Sequence, residues 1–324
     1  MNSEMKTLDP SATKIIQEKF GDQCQINSSL GKHTTAHVGG NAHAIISVQN
    51  RNDLIETATF CWENNFSFKI FGSGSNILVS DTGFEGIVIL NQAKQIMIDL
   101  AKKPAEIYAE SGANLGLIAR KAALAGISGL EWAATIPGTV GGAVYGNAGA
   151  HQSDISNNLF LAEILQQDSE PVFWNTDQME YSYRSSTLKK MQKNVVILSA
   201  TFTGNQESSE LIQKRMQTFI EYRKNTQPPG ASLGSMFKNP KGDFAGRLIE
   251  AAGLKGTTIG GVKVSPIHAN FFVNTDKATA NDYWKLIQLV QKTVFEKFEI
   301  NLELEIEPIG FPNQTSQLTS KPGR

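Results

Sequence analysis

Two glycine-rich segments contain the residues of this chain that are best suited to hold a ligand. The longer segment, Ala133–Ala150, places its glycines among apolar and small residues, unlike the Ser/Glu/Lys mixture of a flexible linker. The shorter one, Gly72–Asn76, lies earlier in the chain. Glycine permits positive φ and a close approach of the backbone, so successive N–H groups can point at phosphate oxygens. Two such loops in one domain indicate a large dinucleotide held along its pyrophosphate, as in flavin or nicotinamide enzymes.

The spacing of these glycines separates several classes of nucleotide site. A Rossmann fingerprint needs G-x-G-x-x-G between a strand and a helix. The first loop has Ile77 at the third glycine position, and a strand is predicted after it, which disfavours that fold. No P-loop sequence occurs. The alternative to nucleotide binding is a purely structural role for these glycines. Gly72–Asn76 would then be a tight turn between strands, and Pro137–Gly149 a loop where strands pack closely.

The elements that must position these loops alternate between strands and helices. Strands are predicted at Ala44–Val48, Phe66–Phe71, Ile77–Val79, Gly86–Leu90, Ala105–Ser111, Leu159–Leu165, Pro171–Trp174, Val195–Phe202, near Thr257–Val264, at Asn270–Asn274 and at Leu302–Ile309. Helices are predicted after a cap at Asn52 or Asp53, and at Asn114–Leu124, Ser209–Thr226, Asp243–Ala252 and Asn281–Phe298. Gly126 is expected to end the second helix in a left-handed cap, and Gln227-Pro228-Pro229-Gly230 to stop the third.

Length and composition narrow the class of protein. A chain of 324 residues favours two domains, and 40% hydrophobic with 19% charged residues is typical of a globular protein. The formal net charge of −1 argues against nucleic acid as a partner. No apolar run is long enough to cross a membrane, and the five histidines show no metal-ligand spacing. These features predict a cytoplasmic enzyme without a metal site.

Several motifs resemble those of one enzyme family. They are Gly72–Asp81, Gly129–Ala150, Tyr181–Arg184, Gly234–Pro240, Ala245–Glu250, His268–Phe271 and Leu304–Ile306. In this order they are similar to the motifs of the UDP-N-acetylenolpyruvoylglucosamine reductases, also called UDP-N-acetylmuramate dehydrogenases, and the similarity runs from about residue 34 to residue 310. Connections after Gly204 are short, as in the type II members, which lack a tyrosine-bearing insertion over the substrate.

The resemblance implies a fold and a division into domains. The fold is α+β: an FAD-binding domain of the vanillyl-alcohol oxidase/PCMH type, made of two α+β subdomains, followed by a smaller α+β substrate-binding domain. The first domain is expected at residues 1–207, with its subdomains meeting near residue 90. The second is expected at residues 208–310. Residues 311–324 are expected to form a frayed tail.

The resemblance also implies the cofactor and its contacts. FAD is expected to bind noncovalently, because neither His nor Cys lies in the first glycine loop, and NADPH is expected as co-substrate. The cofactor-binding residues are expected in the two loops: Gly72, Ser73, Gly74, Ser75, Asn76, Ile136, Pro137, Gly138, Thr139, Gly141 and Gly142.

The implied reaction is the reduction of an enolpyruvyl ether. NADPH reduces FAD, a hydride passes from N5 of FAD to C3 of UDP-N-acetylglucosamine enolpyruvate, and a proton reaches C2 to give UDP-N-acetylmuramate for peptidoglycan synthesis. The family's catalytic residues correspond to Arg184, Ser235 and Glu305. The planar Arg184 fork suits the substrate carboxylate, and Ser235 is the proton donor. Glu305 supports the charge that develops on the substrate.

Other residues are assigned with alternatives. Lys238 and Asn239 are expected to hold the diphosphate or sugar, and Arg247 either does the same or forms an ion pair on a helix surface. In the predicted last strand, alternation places Glu305 on the same face as Glu303 and Glu307, a face that would otherwise be a solvated acidic surface.

Two positions depart from the family pattern, and two other functions stay open. His37 stands where the family commonly has arginine, and Glu307 where it often has a basic residue. The partners implied are a UDP-sugar and NADPH, bound by a monomer. The first alternative function is an FAD-dependent sugar or alcohol oxidase of the same fold, and the second is a nucleotide-sugar-binding protein without catalysis.

Overall fold

The computed structural model describes residues 8–191 and 195–311. Within these ranges the helices are α1 Pro10–Phe20, α2 Arg51–Glu63, α3 Leu115–Leu124, α4 Val140–Gly146, α5 Thr176–Met179, α6 Thr187–Met191, α7 Ser209–Thr226, α8 Ala245–Ala251 and α9 Ala280–Phe298. None of the described helices is long and apolar enough to cross a membrane.

The first sheet combines parallel and antiparallel pairing. Its strands are β1 Cys24–Ser29, β2 Asn41–Val48, β3 Phe68–Phe71 and β5 Phe84–Asn91, in the order β1-β2-β5-β3. β5 runs parallel to both β2 and β3, and α2 connects those two strands. The predicted cap of α2 at Asn52 or Asp53 is wrong, because the Asn50 side chain accepts the N–H groups of both residues.

The second sheet is antiparallel and carries the longest strand of the described chain. Its strands are β6 Ile96–Asp99, β7 Ala105–Glu110, β8 Ile127–Ser128, β11 Leu159–Gln166, β12 Val172–Trp174 and β13 Val195–Gln206. The order is β12-β11-β13-β7-β6, and β8 pairs with the end of β13. Helices α3 and α4 cover this sheet, with Ile118, Ala122 and Val144 fully buried. α4 lies inside the second glycine-rich segment, where only a loop was predicted.

Helix α7 packs on the second sheet's core. Its Ile212 and Met216 belong to the cluster formed by the residues of that sheet, α3 and α4, and Phe219 packs against the same cluster. The predicted boundary between residues 207 and 208 assigns α7 to the C-terminal domain instead. The boundaries themselves stay a prediction.

The C-terminal part is a second α+β layer. Its sheet has the strands β14 Ala231–Ser235, β15 Thr258–Ile259, β16 Val262–Val264 and β17 Phe271–Asn274, in the order β14-β17-β16-β15. α8 and α9 bury their apolar faces against this sheet, and Tyr283, Ile287 and Val290 of α9 are fully buried. The predicted helix Asp243–Ala252 is shorter than expected, beginning at Ala245.

Strand β4 (Ile77–Val79), which follows the first glycine loop, pairs in parallel with β18 (Glu307–Ile309) from the C-terminal part. The predicted strand Leu302–Ile309 is wrong in length, because its first part makes only an isolated bridge between Leu304 and Phe237. Phe311, predicted to begin the frayed tail, stacks on Trp284 at 4.4 Å between ring centroids. Residues 312–324 lie outside the described residues.

Asp81 fixes α9 to the end of β4. Its carboxylate accepts the backbone N–H of Ala280 at 2.9 Å and that of Asn281 at 2.8 Å. These are among the N–H groups that a helix start leaves without a partner inside the helix. Because α9 also has its own capping box from Thr279 and Asp282, Asp81 adds a second acceptor from the other domain.

Replacing Asp81 by Ala should lower the free energy of unfolding by about 0.5–2 kcal/mol, the usual loss for a helix-capping side chain. Urea unfolding followed by circular dichroism measures this. The control Glu85→Ala removes an exposed carboxylate on β5 and should change stability by less than about 0.5 kcal/mol. Equal stability of the two variants would show that this contact between the domains contributes nothing.

Candidate active site

The two glycine-rich loops lie against each other. A Cβ on Gly72 would stand 2.3 Å from Oγ1 of Thr139. The Ser75 hydroxyl donates to the Pro137 carbonyl at 3.2 Å, and a Cβ on Gly138 would reach the same hydroxyl at 3.3 Å. Glycine is therefore needed so that the loops can touch, as the sequence predicts for two halves of one site.

The first loop presents free backbone donors. Gly74 has φ +60°, and a Cβ there would meet the His33 carbonyl at 1.9 Å, so only glycine fits. Within the described chain, no group accepts the backbone N–H of Ser73, Gly74 or Ser75. Successive unpaired N–H groups in a glycine turn form an anion-binding concavity, and this arrangement fits the diphosphate of a dinucleotide.

The second loop uses some of its predicted ligand-binding groups for packing. The Gly141 N–H donates to the Ser111 carbonyl at 2.8 Å, and the Ile136 N–H donates to the Ala133 carbonyl at 3.0 Å. Gly142, in contrast, has no atom nearer than 3.9 Å to the position of a Cβ. The open surface of this loop is therefore at Gly142 rather than Gly141.

Arg184 lies in a strained tight turn. Ser182 and Ser185 pair on either side of it, and Arg184 has φ +55° at the second central position, as in a type II turn. That position favours glycine, and an L side chain there costs of order 1–3 kcal/mol when the surroundings hold it in place. The turn is held against α4, because the Ser186 hydroxyl donates to the Tyr145 carbonyl at 2.6 Å. Strain of this kind is concentrated at functional sites.

The structure brings Arg184 and Glu305 into direct contact. Arg184 Nε lies 2.6 Å from Glu305 Oε1, and Nη1 donates to the Gly149 carbonyl at 3.0 Å. The Glu305 side chain is only 17% exposed. Burial raises the pKa of the Glu305 carboxyl above its ordinary value, while the charges of Arg184, Lys189 and Lys238 act in the opposite direction.

Ser235 is connected to this pair through the backbone. It ends β14, and the carbonyl of the next residue, Met236, accepts the Glu305 N–H at 2.9 Å. Gly234, just before it, has φ +75° with no atom within 4 Å of a Cβ, so the chain next to Ser235 is open. No described residue forms a hydrogen bond with the Ser235 hydroxyl, which leaves it free for a substrate.

A cleft of about 570 Å³ runs from the glycine loops to β14. Its lining residues are Thr35, Ser75, Pro137, Arg223, Lys224, Gln227, Pro228, Pro229, Gly230, Ser232, Gly234 and Phe271. Arg223 and Lys224, at the end of α7, were not singled out from the sequence. The two prolines predict where the helix ends, but no local signal shows that its last basic residues line a cleft.

Comparison with known proteins agrees with this geometry. A family model described as "UDP-N-acetylenolpyruvoylglucosamine reductase, C-terminal domain" matches residues 225–309, and one described as "FAD binding domain" matches residues 42–172. The UDP-N-acetylenolpyruvoylglucosamine reductase of Anoxybacillus flavithermus is 42% identical over 298 residues, which cover 92% of this chain and 97% of that protein. The chain belongs to the UDP-N-acetylenolpyruvoylglucosamine reductase family.

Further relatives match most of this chain and nearly all of their own length. The reductase of Bacillus subtilis is 40% identical over 301 residues, covering 92% of this chain and 98% of its own. The crystal structure of the reductase from Thermus caldophilus superimposes with a TM-score of 0.75 at 33% identity, covering 88% of this chain and 98% of that one. The predicted family and fold class, an α+β FAD-binding domain followed by a smaller α+β domain, are confirmed.

The residues expected to bind the substrate have protein partners. Lys238 Nζ lies 3.3 Å from a carboxylate oxygen of Glu303. The Asn239 side-chain oxygen accepts the N–H of the first residue of α8, and its backbone N–H donates to the Tyr183 hydroxyl at 3.3 Å. Arg247 forms the ion pair with Asp243 that was its alternative interpretation.

The two departures from the family pattern have different surroundings. Glu307 pairs with Lys189 at 2.5 Å. The three glutamates of this segment differ in exposure: Glu303 and Glu307 are solvated, with 75% and 45% of their side chains exposed, whereas Glu305 is 17% exposed, and each has a cationic partner. His37 is exposed, with φ +57°.

The raised pKa of Glu305 makes stability depend on pH. A carboxyl whose pKa is higher in the folded chain binds its proton more tightly there, so it stabilises below the unfolded pKa of about 4.3 and this stabilisation is lost as pH rises through the folded pKa. In Glu305→Gln this contribution is absent. We expect wild type to lose stability relative to Glu305→Gln as pH rises from about 4, by at most about 1.4 kcal/mol per pH unit.

Urea unfolding between acid and neutral pH measures this difference. Glu303→Gln, whose side chain is 75% exposed, controls for the amide replacement itself. A difference between wild type and Glu305→Gln that is constant with pH would contradict the assignment of a raised pKa to this carboxyl.

Proposed function

We propose that this chain reduces the enolpyruvyl ether of UDP-N-acetylglucosamine enolpyruvate to UDP-N-acetylmuramate, with FAD as bound cofactor and NADPH as reductant. The observation that supports the proposal is the part-buried pair of Arg184 and Glu305, connected through one backbone hydrogen bond to the strand end that holds Ser235. The three residues come from distant parts of the chain, and Glu305 is also hydrogen-bonded to the first of two loops that fit a dinucleotide.

The cofactor supplies the redox chemistry. Bound FAD would supply hydride transfer, from NADPH to the flavin and from the flavin to C3 of the enolpyruvyl group. The unpaired N–H groups of Ser73, Gly74 and Ser75 would hold the pyrophosphate of FAD, with the open backbone at Gly142 facing the same site.

Arg184 has the geometry to bind the substrate carboxylate. Two of its nitrogens are fixed by Glu305 and by the Gly149 carbonyl, so the plane of the guanidinium is set before any ligand arrives. Its Nη2 has no acceptor among the residues that the structure describes. A preorganised guanidinium stabilises the negative charge that develops on the carboxylate when hydride adds at C3.

Ser235 and Glu305 complete the proton transfer. The free Ser235 hydroxyl donates the proton that C2 needs, and the two electrons of the hydride with this proton convert the C=C bond to a saturated lactyl ether. Glu305 supports the delocalised charge next to Arg184. Its raised pKa allows this buried carboxyl to hold a proton at a pH where an exposed glutamate would not.

The cleft offers further charge for a nucleotide ligand. Arg223 and Lys224 line it together with Ser75 and Pro137 of the glycine loops, and their two positive charges suit the diphosphate of a UDP-sugar or of NADPH. We expect the enzyme to act in the cytoplasm, and we propose that it does so as a monomer.

An anaerobic titration of the two half-reactions tests the function. Purified protein should be yellow, NADPH should bleach the flavin band, and UDP-N-acetylglucosamine enolpyruvate should restore it. Reoxidation by oxygen but not by this substrate would show a flavin oxidase instead. A colourless protein that still binds the UDP-sugar would show a binding protein without catalysis.

Replacing Ser235 by Ala should slow reoxidation by the substrate about 10²-fold or more, the range for loss of a general acid. Flavin reduction by NADPH should be nearly unchanged, because it needs no proton from this hydroxyl. Stopped-flow absorbance of each half-reaction measures both rates. Ser235→Thr keeps a hydroxyl and should retain more activity, whereas equal losses in both half-reactions would indicate a folding defect.

A further inference from the structure

The last residue of the first glycine loop is attached to Glu305 rather than open to a ligand. The Asn76 side-chain amide donates to the Glu305 carbonyl at 3.0 Å. The Asn76 carbonyl accepts the N–H of Glu307 at 2.8 Å. Both hydrogen bonds hold the backbone on the C-terminal side of the Glu305 side chain, while the Met236 carbonyl accepts the Glu305 N–H on the other side, so the direction of its carboxylate depends partly on where this loop lies.

The second glycine segment has a corresponding residue. Asn147 follows α4 in the left-handed conformation, with φ +46°, and it is buried. Its amide donates to the Ser182 carbonyl at 3.2 Å and to Asp154 at 3.1 Å, and its oxygen accepts the Ser156 N–H at 3.2 Å. Ser182 is the first residue of the turn that carries Arg184, so Asn147 fixes that turn to the end of the glycine segment.

We propose that Asn76 and Asn147 are positioning residues, through which the two glycine loops set the geometry of the Arg184–Glu305 pair. This inference rests on the proposed function in one respect, that the loops bind FAD. Asn76 was expected to contact the cofactor, whereas its side-chain donor is directed to Glu305.

The arrangement has a mechanical consequence. The loop that is expected to contact the cofactor is bound directly to the segment of Glu305. Two hydrogen bonds make this connection, from the Asn76 amide to the Glu305 carbonyl and from the Glu307 N–H to the Asn76 carbonyl. Ordering of the first loop by FAD therefore orders the Glu305 backbone, and Glu305 in turn fixes Arg184 Nε. Displacement of reacting groups by about 1 Å can cost about 10²-fold in rate, so this connection bears on catalysis.

Asn76→Ala tests the first arm, with Asn274→Ala as the matched control. The Asn274 amide also connects the two parts of the chain, donating to the Ala36 carbonyl at 2.9 Å, but it makes no contact with Glu305. We expect Asn76→Ala to slow reoxidation by the UDP-sugar substrate about tenfold, through displacement of Glu305 by a fraction of an ångström. Reduction by NADPH should stay at the wild-type rate, FAD should bind more weakly because the coupling between the loop and Glu305 is reciprocal, and Asn274→Ala should leave all three quantities unchanged.

A readout independent of activity is hydrogen exchange of the peptide covering residues 303–309. In wild type, adding FAD to apoprotein should slow exchange in this peptide, because Glu307 N–H donates to the loop. Asn76→Ala keeps the backbone carbonyl that accepts the Glu307 N–H but loses the amide that holds the Glu305 carbonyl, so the FAD-induced protection should be smaller in this variant and unchanged in Asn274→Ala. Equal protection in the three proteins, or equal loss in both variants, would overturn the inference.

The exchange experiment also separates this inference from the proposed function. If reduced wild type is not reoxidised by the substrate, the proposed function fails, while the FAD-dependent protection still decides the coupling. If wild type is reoxidised and Asn76→Ala reacts equally fast, the function stands and the positioning role is wrong.

Asn147→Gly tests the second arm without backbone strain, since glycine accepts the left-handed conformation. We expect slower reoxidation again. Because both asparagines act on one ion pair, the double variant with Asn76→Ala should lose less than the product of the single losses. Strictly multiplicative losses would show two independent effects and would overturn the common role.

Discussion

A carboxylate with only 17% of its side chain exposed needs a cation, and the site is arranged around this requirement. Removing one partner of such a part-buried ion pair is destabilising, because the other charge is left without compensation. Glu305 is placed by the C-terminal part of the chain, and Arg184 by the second sheet's side of the molecule. Their contact therefore depends on the correct placement of three regions of the chain. The third region is the loop that contains Asn76.

The turn of Arg184 shows how the fold maintains an unfavourable local conformation. Glycine would relieve the strain of its positive φ, but it would remove the guanidinium. Hydrogen bonds with α4 and the residues after it hold the turn instead: the Asn147 amide donates to it, and the Tyr145 and Gly149 carbonyls accept from it. The strained backbone lowers stability, but it fixes the direction of the Arg184 side chain. Such a loss of stability is typical of functional sites.

Much of the fold follows from local patterns. The strand after the first glycine loop, the long helices and the left-handed end at Gly126 are all where periodicity and turn chemistry predict them. The errors arise where distant residues decide. Alternation in Leu302–Ile309 predicts one long strand, but bonds with Met236 and with Asn76 divide it. Likewise no local signal shows that each glutamate of that segment meets a cation from elsewhere in the chain.

The site itself was predictable only in part. Family motifs identify the three catalytic candidates, and glycine spacing identifies the loops, but neither reports which backbone groups are already used. The engaged N–H of Gly141 and the ion pair of Arg247 become visible only in three dimensions. Parallel pairing of β4 with β18 has a consequence for biosynthesis. Asn76 and Glu305 are 229 residues apart, so a ribosome must add all the residues between them before this contact, and the ion pair of Glu305 with Arg184, can form.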